Sequence, residues 1–214
     1  MRIILLSLLM LIHTSWIVAQ EVAIPGKEIM AGTFTDSRDN QSYKLVKIGN
    51  QVWMAQNLNF NTGKDCWCYE ETSDNCKLYG RLYSWDATLD ACPEGWHLPS
   101  DTEWDELKLF IKKEYPLTVG TTMKTTNGWD FNGNGTNIFG FAALPGGYRN
   151  NDEAYNLGGN SCFWWSATAK DANYAWARHL KFNYPFLNRF RGNKKFGFAI
   201  RCVKNQKANN IITK

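Results

Sequence analysis

The residues able to do chemistry are mostly cysteines. Cys66, Cys68, Cys76, Cys92, Cys162 and Cys202 form an even set of six. In an exported chain that reads as a disulfide framework, with 15 pairings open. Cys68 and Cys76 bracket the polar run YEETSDN, which suits a locally closed loop. A zinc reading of Cys66, Cys68 and Cys76 lacks the usual C-x2-C spacing and a second half-site. Beyond residue 19 the histidines are His97 and His179. His97 stands in the extended approach to Pro99 and has no partnered nucleophile, so it reads as a structural hydrogen-bonding residue. Asp101, Glu103, Asp105 and Glu106 cluster at one exposed helix start. Capping and solvation suit them better there than the work of a glycosidase acid/base pair. Asp152 or Glu153 meeting another carboxylate in a cleft stays open. The serine-hydrolase elbow, the H-E-x-x-H helix and the phosphate- and dinucleotide-binding glycine loops are absent from the sequence. No catalytic residue is therefore assigned.

One stretch has the form of a metal loop. Asp130, Asn132, Asn134 and Gly135 follow the first six places of a calcium loop, D-x-N-x-N-G, but the twelfth place is Phe141 rather than a bidentate Glu. An Asn/Gly-rich turn is the better reading. Calcium is kept as a cofactor to be tested, and none is required.

The chain holds 10 Trp, 9 Tyr and 12 Phe, enough rings for both a core and a binding face. Trp53, Trp85, Trp96, Trp104 and Trp164 are assigned to the core. Trp129, Tyr148, Tyr155 and Trp176 lie among amides and charges, with Arg149 adjacent, and are the candidate ligand-binding residues. A ring face stacks on a sugar, and neighbouring amides or carboxylates bond its hydroxyls.

Elements must position these residues. MRIILLSLLMLIHTSWIVAQ has a basic Arg2, an apolar run from Ile3 to Ile12 and a small Ala19, the layout of a signal peptide over 1–19. The run is short for a membrane span, which needs about 20 apolar residues. The expectation is a secreted or cell-envelope protein beginning near Gln20. Loss of Arg2 lowers the formal net charge from +4 to +3. Charges are interspersed, and the most basic stretch, Arg178–Lys195, reads as a solvated face, so nucleic acid is not an expected partner. After a leader over 20–32, a domain is expected over 33–203 and a polar tail over 204–214. YKLVKI and QVWM flank Gly49-Asn50, a two-residue hairpin signal. The polar run from Cys66 to Cys76 reads as loop. Leu82, Trp85, Leu89 and Cys92 mark one face of a short helix, ended by Pro93-Glu94-Gly95. Ser100 and Glu103 form a capping box for a second helix, with Trp104, Leu107 and Ile111 facing inward. Strands are expected over 163–167, 174–180 and 197–203. In the last, Phe198, Ile200 and Cys202 should face opposite to Ala199 and Arg201.

YKLVKIGNQVWMAQNLNF, CYEETSDNCKLYGRLYSWDA, CPEGWHLPSDTEWDEL, FGFAALPGGYR, WWSAT and FAIRCV occur in this order. Together they resemble the Fibrobacter succinogenes major paralogous domain, a family of secreted bacterial domains, over roughly Gly32–Val203. SWDA, WHLPSDTEW and GFAIR are also similar to the layout of the sulfatase-modifying fold, a variant of the C-type lectin-like fold. The resemblance implies an α+β domain with two short helices, short antiparallel strands and long irregular loops. It also implies a Cys92–Cys202 staple. Cys68–Cys76 then closes the local loop, and Cys66–Cys162 remains as the third pair. The late redox-active cysteine pair of the sulfatase-modifying enzymes has no counterpart here. The leading functional reading is a secreted or cell-surface binding module for a glycan or a partner protein, using the loop face 120–193. The alternatives are a carbohydrate-active or protein-modifying enzyme, or a structural subunit of a surface assembly.

Overall fold

The computed structural model describes residues 32–206. The expected signal segment, the leader before Gly32 and the tail beyond Gln206 lie outside the described residues. The domain opens with a meander of β1 (Gly32–Thr35), β2 (Ser42–Ile48) and β3 (Gln51–Met54). Ile48 pairs with Gln51 across the Gly49-Asn50 turn. Gly49 has φ +62, and a Cβ there would meet the Phe110 ring at 2.9 Å, so the turn needs glycine. Then come β4 (Cys66–Trp67), α1 (Ser73–Tyr79), β5 (Leu82–Tyr83), α2 (Trp85–Thr88) and β6 (Trp96–His97). The polar run expected as loop thus holds α1, pinned by the Cys68–Cys76 bond. The helix expected from Leu82 is cut short. Ser84 is the N-cap of α2, its hydroxyl accepting from the Ala87 amide, so Leu82 and Tyr83 lie before the helix and pair with β4 instead. Leu89 is left exposed.

The long helix α3 (Asp101–Glu114) has both halves of the expected capping box, and Trp104, Leu107 and Ile111 are fully buried. A short α4 (Val119–Met123) follows, which the sequence pattern did not signal. The region 120–193 is less irregular than expected. It contains β7 (Gly146–Arg149), β8 (Tyr155–Gly158), β9 (Ser161–Ala169), β10 (Tyr174–Lys181) and β11 (Asn188–Asn193), joined in the order β11-β10-β9-β7-β8. The last strand, β12 (Val203–Lys204), completes the other sheet, β1-β2-β3-β12-β6. Lys204, the first residue of the expected polar tail, thus pairs within this sheet. The architecture is α+β, with two five-stranded sheets and two disulfides.

The two sheets meet along residues 197–202. Isolated bridges tie Phe198 to Tyr83, Gly197 to Arg149 and Ala199 to Trp164. Alternation divides this segment as expected, with Phe198, Ile200 and Cys202 in one core cluster and Ala199 in the other, and both faces are buried. Arg201 is 1% exposed. Its Nε and Nη2 donate to Asn57 Oδ1 at 3.1 and 2.8 Å, and Nη1 donates to the Phe141 carbonyl. Asn57 Oδ1 also accepts from Trp164 Nε1 at 2.8 Å. The guanidinium lies 4.2 Å from the Phe141 ring centroid and 5.6 Å from that of Trp164. Around it Trp53, Trp104, Phe141 and Trp164 pack with centroids 4.8–6.1 Å apart. Among the described residues no carboxylate pairs with Arg201. Burial pulls its pKa down to about 9.

Asn57→Ala should cost about 3–5 kcal/mol of stability, because it strands a buried cation. Arg201→Met should cost less, since it removes the charge and leaves unpaired acceptors at about 1–3 kcal/mol. Urea unfolding of both variants checks the order. The reverse order would show that the cation is not the expensive group.

Candidate binding groove

Strand register gathers rings on one face of the second sheet. Phe163 pairs with His179, Ala177 with Phe190, and the parallel bridge of Gly147 to Cys162 sets Tyr148 beside Phe163. Alternation then puts Tyr148, Phe163, His179 and Phe190 on the same side, while Cys162, Trp164 and Leu180 point into the main core. Phe196 and Phe198 close over this face. Phe163 stacks on His179, with centroids 4.6 Å apart and planes at 12°, and lies 5.0–5.8 Å from Tyr148, Phe190 and Phe198. The rings bound a cavity of about 310 Å³, completed by Leu157, Ser161 and Lys181. No carboxylate lines it. Leu157 and Phe190 are 46% and 37% exposed, large apolar groups facing water at its mouth. The Ser161 hydroxyl is buried without a hydrogen-bond partner. Burial, with the nearby Lys181 charge, lowers the His179 pKa to about 4, so the ring is neutral near pH 7. Size and lining fit the general pattern of ligand sites, which are apolar hollows with few polar groups.

The sequence candidates scatter. Tyr148 enters the groove. Trp129 does not face solvent; it is buried, and Nε1 donates to the Ala143 carbonyl at 3.0 Å, a bond that suits a packed indole. Tyr155 packs edge-on against Tyr69 and donates to the Glu71 carboxylate. Arg149 is buried, 4.2 Å from the Trp67 ring centroid, with Nη2 3.2 Å from Glu153 Oε1. Trp176 lies on the opposite sheet face, covered by the Arg189 guanidinium at 3.2 Å from the ring centroid. One face of its ring is therefore taken by Arg189. These positions do not form one site. In the loop read for calcium, Asn134 Oδ1 accepts from the Trp129 amide at 3.0 Å, and Asp130 Oδ2 accepts from Asn160 Nδ2 at 2.9 Å. Asn132 is exposed, with φ +59. No group of three or more His, Cys, Asp or Glu side chains placed to hold a metal occurs among the described residues.

The cysteines divide two ways. Cys68–Cys76 and Cys92–Cys202 are bonded. Cys66–Cys162 is not, because Cys66 sits half-exposed in β4 while Cys162 is buried in β9 opposite Leu180. The carboxylates at the start of α3 are also not simply solvated. Arg178, 1% exposed, donates to Asp101 and to Asp105 at 2.8 Å, and Arg189 reaches Asp101 at 2.7 Å. Burial alone would raise the Asp101 pKa, but the two arginines lower it. Glu103 is taken by the capping box and by His97 Nε2 at 2.7 Å. His97 Nδ1 contacts Asn205 Oδ1 at 2.6 Å.

Sequence reasoning missed most of the groove. Tyr148 is the one groove ring among the sequence candidates, and Phe163, His179, Phe190, Phe196 and Phe198 are not among them. Their signal was the alternation within SCFWW, ARHLK and NRFRG, legible only once strand register was known. The geometry is that of a disulfide-stapled α+β domain with an aromatic hollow on one sheet. Residues 46–204 match the model of the Fibrobacter succinogenes major domain, and the chain belongs to that bacterial family. Neither a curated protein nor a solved structure matches the chain.

His179 gives a pH test. Its folded pKa lies below the ordinary value of about 6.5, so the unfolded chain binds more protons between that value and about 4. Its contribution to stability is full above about pH 6.5 and is lost as pH falls toward 4. His179→Phe should flatten this part of the curve of urea midpoint against pH. An unchanged slope would place the proton uptake elsewhere.

Proposed function

We propose that the chain is an exported, non-catalytic binding module whose groove takes an apolar or aromatic group displayed by a partner protein. The observation that carries the reading is the groove itself, six rings with exposed apolar residues at the mouth and no carboxylate in the lining. A glycan fits less well. Sugar recognition needs amides and carboxylates converging beside a ring face, and here the polar lining is confined to Ser161, His179, Lys181 and the Tyr148 hydroxyl. The two disulfides support export. A C-type lectin-like chain path is part of the same reading. It is supported by β12 pairing with β3 from the opening meander, and by the Cys92–Cys202 staple from the end of α2 to the last strand.

The test titrates the intact oxidised protein with p-cresol, as a detached aromatic side chain, and with a panel of oligosaccharides. Both series are run with calcium and with chelator, observed by NMR. p-Cresol should shift Tyr148, Phe163 and His179 in both conditions, and Phe196→Arg should abolish the shift. Oligosaccharides binding at these residues, with p-cresol silent, would overturn the protein-partner reading. Calcium-dependent shifts near Asp130 would restore the metal loop.

A further inference from the structure

The groove runs to an open sheet edge. β11 is six residues long and among the described residues pairs with β10 alone, so its outer side presents main-chain groups that they leave unpaired. Its side chains alternate in a definite way. Phe190 stands on the groove face, opposite Ala177. Arg189 and Arg191 stand on the other face, opposite Arg178 and Trp176. Arg189 is already held by Asp101. Arg191 is exposed, has the Tyr174 ring 5.3 Å away, and pairs with no carboxylate among the described residues.

We propose that β11 accepts an extended segment of a partner protein as an added strand, one whose residues read acid–aromatic–acid. The inference rests on the groove reading and deepens it. Side chains directly opposite across antiparallel strands lie about 5 Å apart. A strand added to β11 therefore sets one side chain against Phe190, whose ring lies 5.8 Å from that of Phe163 on the groove face. The residues before and after it meet Arg191 and Arg189 on the far face. Main-chain bonds supply affinity, and the alternating side chains supply selectivity. A second copy of this chain is the poorer occupant. A two-fold antiparallel pairing about Phe190 brings Arg189 of one copy against Arg191 of the other, and like charges opposed across strands repel.

The experiment uses the intact oxidised protein and a fluorescent peptide, Thr-Glu-Phe-Glu-Thr-Val, read by anisotropy. Binding should be saturable and should slow amide exchange over Asn188–Asn193. Arg191→Glu should weaken it by roughly fivefold or more, and a Lys-Phe-Lys peptide should regain affinity for that variant. Methylating the peptide's main-chain nitrogens should abolish binding. Retention by the methylated peptide, or no effect of the charge exchange, would overturn strand addition. Peptide silence while p-cresol still shifts the groove would overturn this inference and leave the groove reading standing; silence of both probes would remove both. Concentration-dependent protection of β11 without peptide would assign the edge to a second copy and overturn the proposal.

Discussion

The structure depends on a buried cation that has no anion among the described residues. An isolated guanidinium taken out of water is costly, and a carboxylate beside it is the usual remedy. Arg201 is held by dipoles and ring faces instead: one amide oxygen, one backbone carbonyl, and the π faces of Phe141 and Trp164. These partners come from distant parts of the chain. Asn57 follows β3, Phe141 lies in the long connection before β7, Trp164 is in β9, and Arg201 leads into β12. Satisfying one side chain therefore fixes the relative placement of both sheets. The Cys92–Cys202 bond, one residue along, closes a separation of 110 residues at the same place. Such a cross-link can contribute about 4–5 kcal/mol through the unfolded state.

The groove is a consequence of that placement. Trp164 points inward because Asn57 and the Arg201 cation hold it there. Phe163 and Trp165, its neighbours in β9, must then point to the other face. A one-residue slip in β9 would put Trp164 into the groove and Phe163 into the core, which is why register there is strongly specified. Phe198 reaches the same hollow because the 197–202 segment bridges both sheets. Apolar groups left facing water at the mouth are thus tied to the central core, and the site inherits the rigidity of the sheet beneath it.

Local chemistry was legible in the sequence, and long-range chemistry was not. The Gly49-Asn50 hairpin, the Ser100/Glu103 cap and the Trp104-Leu107-Ile111 stripe are set by neighbours a few residues apart, and all three were read correctly. Leu82 fitted a helical period but lies before a capping serine, so the cap outranked the period. Strand alternation put Arg201 on the face of Ala199, opposite Phe198, Ile200 and Cys202, and that division holds. Alternation alone does not tell that the Arg201 face is buried too, since this segment is covered on both sides, as in a central strand. Trp129 and Trp176 looked alike among their polar neighbours. One is buried with its N–H bonded and the other is capped by an arginine from the next strand, and no local pattern separates those outcomes. The groove rings come from five chain segments, so only register could assemble them.

The titratable groups supply the last argument about function. Several have a structural task that occupies them. Asp101 and Asp105 neutralise Arg178, Glu103 closes a cap and holds His97, and Glu71 accepts from Tyr155. His179 is stacked and neutral. A general acid or base needs a proton free to move at working pH, and these groups are committed elsewhere. The unspent capacity lies in apolar rings, in a strand edge, and in the charge of Arg191. In the proposed reading this surface recognises another, and its selectivity comes from the alternation of one strand rather than from a reactive atom.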